Sequence, residues 1–266
     1  MSIENLNAAT VAMNALTGRI SDFMDGVDDD LAAHEAAYAA LAGDLVGVVD
    51  SRVMFSGTVD PNDPAPTEVN GGTFNSIPDL IAASPAFGHV TIILLAGETY
   101  QLDGADWDVE RRRVHFQGAD PNNRAQIVIG TYEAGGSNAP WCIRWWQGAT
   151  FRFENLDFVL GALAVPAGGW SGWRSIVRNQ YCDSVTVHLN NVDFTGEGDM
   201  SIVRPFGGAH VNIVARAVVL DGDVSLIGTA TLSVTSIVTA AQLTLQNGAA
   251  IASGTPTLGE NYLLGD

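Results

Sequence analysis

Tryptophan is the densest chemical signal in this sequence. All six indoles lie between residues 107 and 173, and five of them, Trp141, Trp145, Trp146, Trp170 and Trp173, precede Tyr181 closely. Indole faces stack on sugar rings, and Arg174, with Arg144 and Arg178 nearby, supplies donors for sugar hydroxyls. These residues are therefore candidates for a glycan-binding face. The competing use is packing, because large aromatics also dominate cores and subunit seams. In a strand, the consecutive Trp145 and Trp146 would point to opposite sides, so at most one faces a core.

Paired carboxylates are the second candidate. Residues 144–158 recur as residues 180–194 at an offset of 36, which aligns Asn155 with Asn191 and Asp157 with Asp193. On stacked strands, equivalent residues sit ~4.8 Å apart. Retaining glycosidases hold their two carboxyls about 5 Å apart. Glu197 and Asp199 follow in a glycine-punctuated stretch and would lie close by. The commoner outcome for such equivalence is a pair of solvated acids bridged by a cation. Asp103, Asp106, Asp108 and Glu110 offer oxygen donors without the EF-hand order. Cys142 and Cys182 have no metal-ligand spacing and read as buried thiols. No nucleophile elbow, phosphate loop, dinucleotide fingerprint or zinc-protease motif occurs. No catalytic residue, metal site or cofactor is assigned.

Charge narrows the partners. The 266 residues carry 12 arginines, no lysine and 30 acids, a net charge of −18, with a pI near 4.3. Such a chain repels phosphate backbones, and beyond Arg111, Arg112 and Arg113 it has no basic run, so nucleic acid is not an expected partner. The opening MSIENLNAATVAMN has no basic region ahead of an apolar run, so no secretory leader is expected. No apolar stretch approaches the ~18 residues that a bilayer span needs, so no membrane insertion is expected.

The elements that position these residues fall into three zones. Residues 1–55 have no proline and are rich in Ala, Leu, Val and Asp. Leu6, Met13, Ile20 and Val27 fall seven apart, with Ala9, Leu16 and Phe23 three residues after the first three. A second frame places Leu31, Tyr38 and Leu45 at a, with His34, Leu41 and Val48 at d. This a/d pattern predicts an oligomerising helix. Leu31 follows Val27 by a step of four, a stutter at Gly26 and Asp28–Asp30 that fits one interrupted helix or two. Residues 56–72, with three prolines and three glycines, read as a linker, which predicts that 73–266 folds without the helix.

From residue 73 onward, β-branched and aromatic residues alternate with polar ones, and glycine recurs. The 36-residue repeat predicts a solenoid of short stacked strands. Ser76 is a natural N-cap, Pro78 sits in the first turn, and Ile77, Leu80 and Ile81 form an apolar face. A break at Pro85–Gly88 leads to the strand Val90–Leu95, then Gly97 and Tyr100. This order resembles the opening of pectate-lyase-like right-handed parallel β-helix domains, in which a short helix caps the coil. The predicted fold is thus mainly β, a right-handed parallel β-helix with an N-terminal α-helical oligomerisation stalk.

Stalk, linker and capped β-helix in this order resemble the tail fibres and tailspikes of bacteriophages. That resemblance implies a homotrimer on the virion tail, held to other tail proteins by the helix and meeting a host surface glycan or receptor through the β domain. It equally implies an alternative, a tailspike-type polysaccharide depolymerase of the hydrolase or lyase kind. Lyases of that fold use calcium and a basic proton acceptor, and arginine would have to serve here.

Overall fold

The computed structural model describes residues 3–102, 107–110, 112–134, 137–140, 143–146, 148–160, 175–179, 184–205, 210–228, 235–252 and 264–265. The chain divides into two units, Met1–Ser51 and Arg52–Asp266.

Alanine-rich and proline-free, the first segment forms a single helix, α1 (Ile3–Val53). It runs unbroken through Gly26 and the Asp28–Asp30 stutter. At ~1.5 Å per residue, its 51 residues extend about 76 Å. Glu4 lies in the first turn, where the helix dipole favours an acid. Thr10 and Thr17 return their hydroxyls to the carbonyls of Leu6 and Met13, each at 2.9 Å.

The second unit is built almost wholly of strands. It opens with β1 (Met54–Val59), β2 (Thr73–Phe74) and a short helix, α2 (Ile77–Ala83). There follow β3 (Gly88–Leu94), β4 (Thr99–Leu102), β5 (Trp107–Glu110), β6 (Arg112–Gly118) and β7 (Ala125–Ile129). A small antiparallel pair, β8 (Thr131–Ala134) and β9 (Ser137–Pro140), precedes β10 (Ile143–Trp146) and β11 (Ala149–Leu160). The chain continues through β12 (Ser175–Asn179), β13 (Val185–Arg204), β14 (His210–Ile227) and β15 (Thr235–Gln246). The last elements are β16 (Ala250–Ala252) and β17 (Leu264–Gly265).

Apart from β8 and β9, these strands form one 15-stranded sheet with every pairing parallel. Three ladders can be traced through it. The first stacks β1, β3, β6 and the leading halves of β11, β13, β14 and β15. The second stacks β4, β7 and the trailing halves of the same long strands. The third joins β5, β10 and β12 to the ends of β13 and β14 and to β16. The repeat offset of 36 is the register between β11 and β13, where Thr150 pairs Thr186, Asp157 pairs Asp193 and Phe158 pairs Phe194.

Strand alternation puts one side of each ladder into a common core. Phe116, Phe151, Phe153, Phe158 and Phe194 are fully buried there. Phe116 stacks on Phe153 at 5.3 Å and Phe158 on Phe194 at 4.9 Å, so in-register aromatics stack in pairs within largely aliphatic columns. Between the first and second ladders the chain turns at Asn155, Asn191, Ala217 and Gln242, which occupy one register position and all have φ between 50° and 60°. Asparagine tolerates this left-handed conformation, and the Asn191 amide donates to the Asn155 side-chain oxygen at 2.9 Å.

The start of the unit follows the sequence reading closely. Ser76 caps α2 by accepting from the Asp79 backbone N–H, and Ile77 and Leu80 are buried. Gly97 takes φ +71 between β3 and β4. Tyr100 is buried, donates its hydroxyl to the Val59 carbonyl at 2.9 Å and accepts from the Leu95 N–H at 2.8 Å. Burial pushes its phenol up to about 12. Tyr100→Phe is expected to cost about 1–3 kcal/mol, because both backbone partners lose their bond. Chemical denaturation of the two proteins reads this directly.

One boundary is corrected. Residues 56–72 are not a free linker between 1–55 and 73–266. Ser56–Val59 belongs to β1, which pairs with β3 and β2, and buries Phe55 and Val59 in the core. The remainder folds back on that strand, with Gly71 N–H on the Ser56 carbonyl and Thr58 N–H on the Gly72 carbonyl. Asp60 and Asp63 accept from the N–H groups of Asn62 and Ala65, so the polar residues hold a loop in place. The β unit therefore begins at Arg52.

Candidate binding surfaces

Asp157 and Asp193 do stand side by side on β11 and β13, outside the second ladder. Between them lies Arg124, from the segment leading into β7. Its Nη2 is 2.7 Å from Asp157 Oδ1 and also bonds Asp193, while Nη1 reaches the Asn191 side chain. Burial raises the Asp157 carboxyl above the usual range; Arg124 opposes this and Asp193 adds to it. The guanidinium occupies the space where a glycosidic oxygen or a water would have to sit, so the arrangement is an ion-paired corner. Arg124→Met leaves two like charges opposite each other in the ladder, with an expected cost of about 1 kcal/mol at pH 7. Without the arginine, the folded-state carboxyl pKa lies above its unfolded value, so that cost is present at neutral pH. The deficit relative to the parent is expected to shrink as pH falls through the carboxylate range. Paired melts at pH 7 and pH 4 check it.

The outward side of the first ladder carries a cluster that sequence reasoning did not find. Register places Thr91, His115, Arg152, His188 and Val214 in one column across β3, β6, β11, β13 and β14. His89 and Arg113 lie in the column on one side, and Glu154, Asn190 and Arg216 in the column on the other. Glu154 is 2.7 Å from Arg152 Nη2, 3.2 Å from His115 Nε2 and 3.0 Å from the Asn190 amide. The rings of His89 and His115 are 6.4 Å apart.

Two hollows adjoin on this surface. One, of about 110 Å³, is lined by His89, Arg113, His115, Thr150, Arg152 and His188. The other, of about 360 Å³, is lined by Arg152, His188, Asn190, Val214 and Arg216 among others. All three imidazoles are held below the usual histidine range. Burial is the main cause in each case, and Arg152 adds to it, with Arg113 also acting on His89. Glu154 pulls His115 the other way.

The third surface is the stripe on α1. Leu6, Met13, Leu16, Ile20, Phe23, Val27, Leu31, Tyr38, Leu41 and Leu45 are all exposed, from 44% at Val27 to 72% at Tyr38. Val48, the last heptad residue, belongs to the helix, and its side chain lies outside the described residues. His34 is also exposed.

Of the aromatic candidates, Trp141, Trp170, Trp173, Arg174 and Tyr181 lie outside the described residues, as do Cys142, Cys182, Asp103 and Asp106. Trp145 and Trp146 are in β10, where Trp145 pairs with Asn179 of β12 and Val109 of β5. Their side chains, and those of Asp108, Glu110, Glu197 and Asp199, are outside the described set.

No protein-family model matches the chain, and comparison with curated proteins and with solved structures yields no match. Residues alone carry the functional argument. Among the described residues, no helix is long and apolar enough to cross a membrane.

Proposed function

We propose that the chain is a structural fibre subunit of a phage virion, a homotrimer anchored by α1 and meeting the host surface through its β unit. The observation that carries this reading is the α1 stripe. Ten large apolar side chains at heptad spacing are exposed along one continuous 51-residue helix. Gly18, Gly26 and Gly43 each lower the helix's intrinsic propensity locally, and most helical stability comes from burying an apolar face. The complementary surface for an a/d seam is another copy of the same seam. Asp22, Asp25, Asp28 and Asp29 fall at heptad positions b, c and f, clear of it.

The β unit is read as a right-handed parallel β-helix. Three all-parallel ladders, with 24 to 37 residues from one layer to the next, are what three faces of such a coil require. α2, with Ile77 and Leu80 turned inward, would close its first turn. Three copies follow from the fibre resemblance, as does attachment to other tail proteins through α1. The depolymerase alternative loses support from Arg124, which fills the gap between its two best carboxylates.

In the source cells, the chain is expected to co-sediment with virions across a density gradient, as read by immunoblot. Recovery only in the soluble fraction would overturn the reading. A panel of host polysaccharides is expected to show no release of reducing ends or unsaturated products. Turnover abolished by Asp193→Asn would replace it with the depolymerase.

A further inference from the structure

We infer that the outward side of the first ladder is a binding groove for a glycan bearing carboxylate or phosphate groups, gripped by Arg113, Arg152 and Arg216 with His89, His115 and His188 between them. The ligand's being a surface glycan rests on the fibre reading above; its acidity rests on this surface alone.

Charge placement is the first argument. The chain has 30 acids, yet on the outward side of β1, β3, β6 and the leading halves of β11, β13, β14 and β15 the described residues include one carboxylate, Glu154. Three of the twelve arginines and four of the five histidines, His210 at the start of β14 among them, face the same way. A random scatter of the chain's charges would make this surface acidic like the rest. The cationic groups therefore form a patch that draws anions locally against an overall repulsive field.

Shape is the second argument. The two hollows share Arg152 and His188, so they form one continuous furrow crossing five stacked strands. Four steps of ~4.8 Å carry it about 19 Å along the stacking direction. Arg113, Arg152 and Arg216 sit at successive points on it, which suits an extended chain with an acid on successive units better than a single small anion. Glu154 is fully engaged by Arg152, His115 and Asn190, so it orients Arg152 without closing the furrow. Arg113 and Arg216 are exposed and have no ion-pair partner among the described residues. Guanidinium groups bind carboxylate and phosphate oxygens in forked pairs, and imidazoles fill the intervals as donors.

The imidazoles add a pH dependence. The titratable and charged groups on this side are Arg113, Arg152, Glu154, Arg216, the three histidines between them and His210 at the exposed start of β14, with β1 and β15 presenting none. Burial and neighbouring arginines hold His89, His115 and His188 neutral at pH 7. An oxyanion favours their charged form, so by linkage the site binds more tightly as pH falls from neutral toward 5.

The test uses the full chain and titration calorimetry at pH 5.5 and pH 8. Polygalacturonate is the carboxylate probe, a glycerol-phosphate polymer the phosphate probe, and fully methyl-esterified pectin the neutral control. One or both acidic polymers are expected to bind, more tightly at pH 5.5, with the neutral control silent; which one binds identifies the source of the oxyanion. Arg152→Gln combined with Arg216→Gln is expected to lose about tenfold or more in affinity. His188→Gln is expected to flatten the pH response. Arg216→Gln alone, at an exposed side chain, keeps the test readable should the double variant not fold. Equal binding of the neutral polymer, unchanged binding by the folded variants, or no binding of either acidic polymer would overturn the inference. Virion co-sedimentation without acidic-glycan binding would sink this inference and leave the fibre reading standing; the converse would do the opposite.

Discussion

Residues 52–266 are expected to fold on their own and melt cooperatively, whereas residues 73–266 are expected to be unfolded or aggregated. The difference between these two fragments is β1 and the loop that follows it. β1 puts Phe55 and Val59 into the core, and the Phe55 ring packs 6.1 Å from Phe74. Its Val59 carbonyl receives the Tyr100 hydroxyl. Gly57 lies so close to Phe74 and Leu80 that no Cβ would fit. Losing a buried phenylalanine alone costs about 3–5 kcal/mol. Loss of Val59, the Tyr100 bond and the whole edge pairing of β3 comes on top, against a total stability of about 5–15 kcal/mol. Exposing β3 as a bare edge with Val90, Ile92 and Leu94 behind it also invites strand-to-strand aggregation. Far-UV circular dichroism and a thermal melt of both fragments decide the matter. A 73–266 fragment melting like 52–266 would show that β1 is dispensable.

Leu16→Asp together with Ile20→Asp is expected to abolish self-association without altering the melt of the β unit. Both side chains are more than half exposed in the single chain, at 56% and 55%, so the substitution disturbs nothing inside the protomer. In an assembled seam, each copy would bury two carboxylates among leucine, methionine and phenylalanine. Burial of unpaired charge costs several kcal/mol per group in practice, and the cost is repeated in every chain. Sedimentation at micromolar concentration is expected to show the parent as an oligomer and the variant as a monomer. Asp25→Asn, at position f on the far side of the same helix, serves as the control and is expected to leave assembly unchanged. If the double variant sediments with the parent, the stripe is not the contact.

Much of the fold was legible because its signals are local or repeat at a fixed offset. The Ser76 cap, Pro78 and the Ile77–Leu80 spacing lie within five residues of one another and gave α2 correctly. The 36-residue repeat gave the register of β11 on β13, because residues in equivalent layers face the same packing. The heptad gave α1 and its apolar side. Composition misled at residues 56–72, where Asp, Asn, Pro and Gly signal departure from regular structure. Those residues make a flexible tether and a hydrogen-bonded loop equally well. Only the Phe55–Val59 alternation, too short to stand out, marked the strand.

The candidate surfaces were harder to read. Arg124 lies 33 residues before Asp157 and 69 before Asp193, so no spacing rule joins them. His89, His115, Arg152, His188 and Arg216 each alternate with buried residues in their own strands, which is visible locally. Their convergence depends on layers of unequal length: β3 to β6 advances 24 residues and β6 to β11 advances 37. Without that register, the cationic side chains are scattered over more than a hundred residues.

The central claim is that α1 is an assembly seam. Its most direct test is the mass of the full-length chain by multi-angle light scattering at micromolar concentration. Three chains of 28.0 kDa give an expected mass of about 84 kDa. A mass near 56 kDa would keep the seam and contradict the threefold assembly, and a stable 28 kDa species would contradict the seam itself.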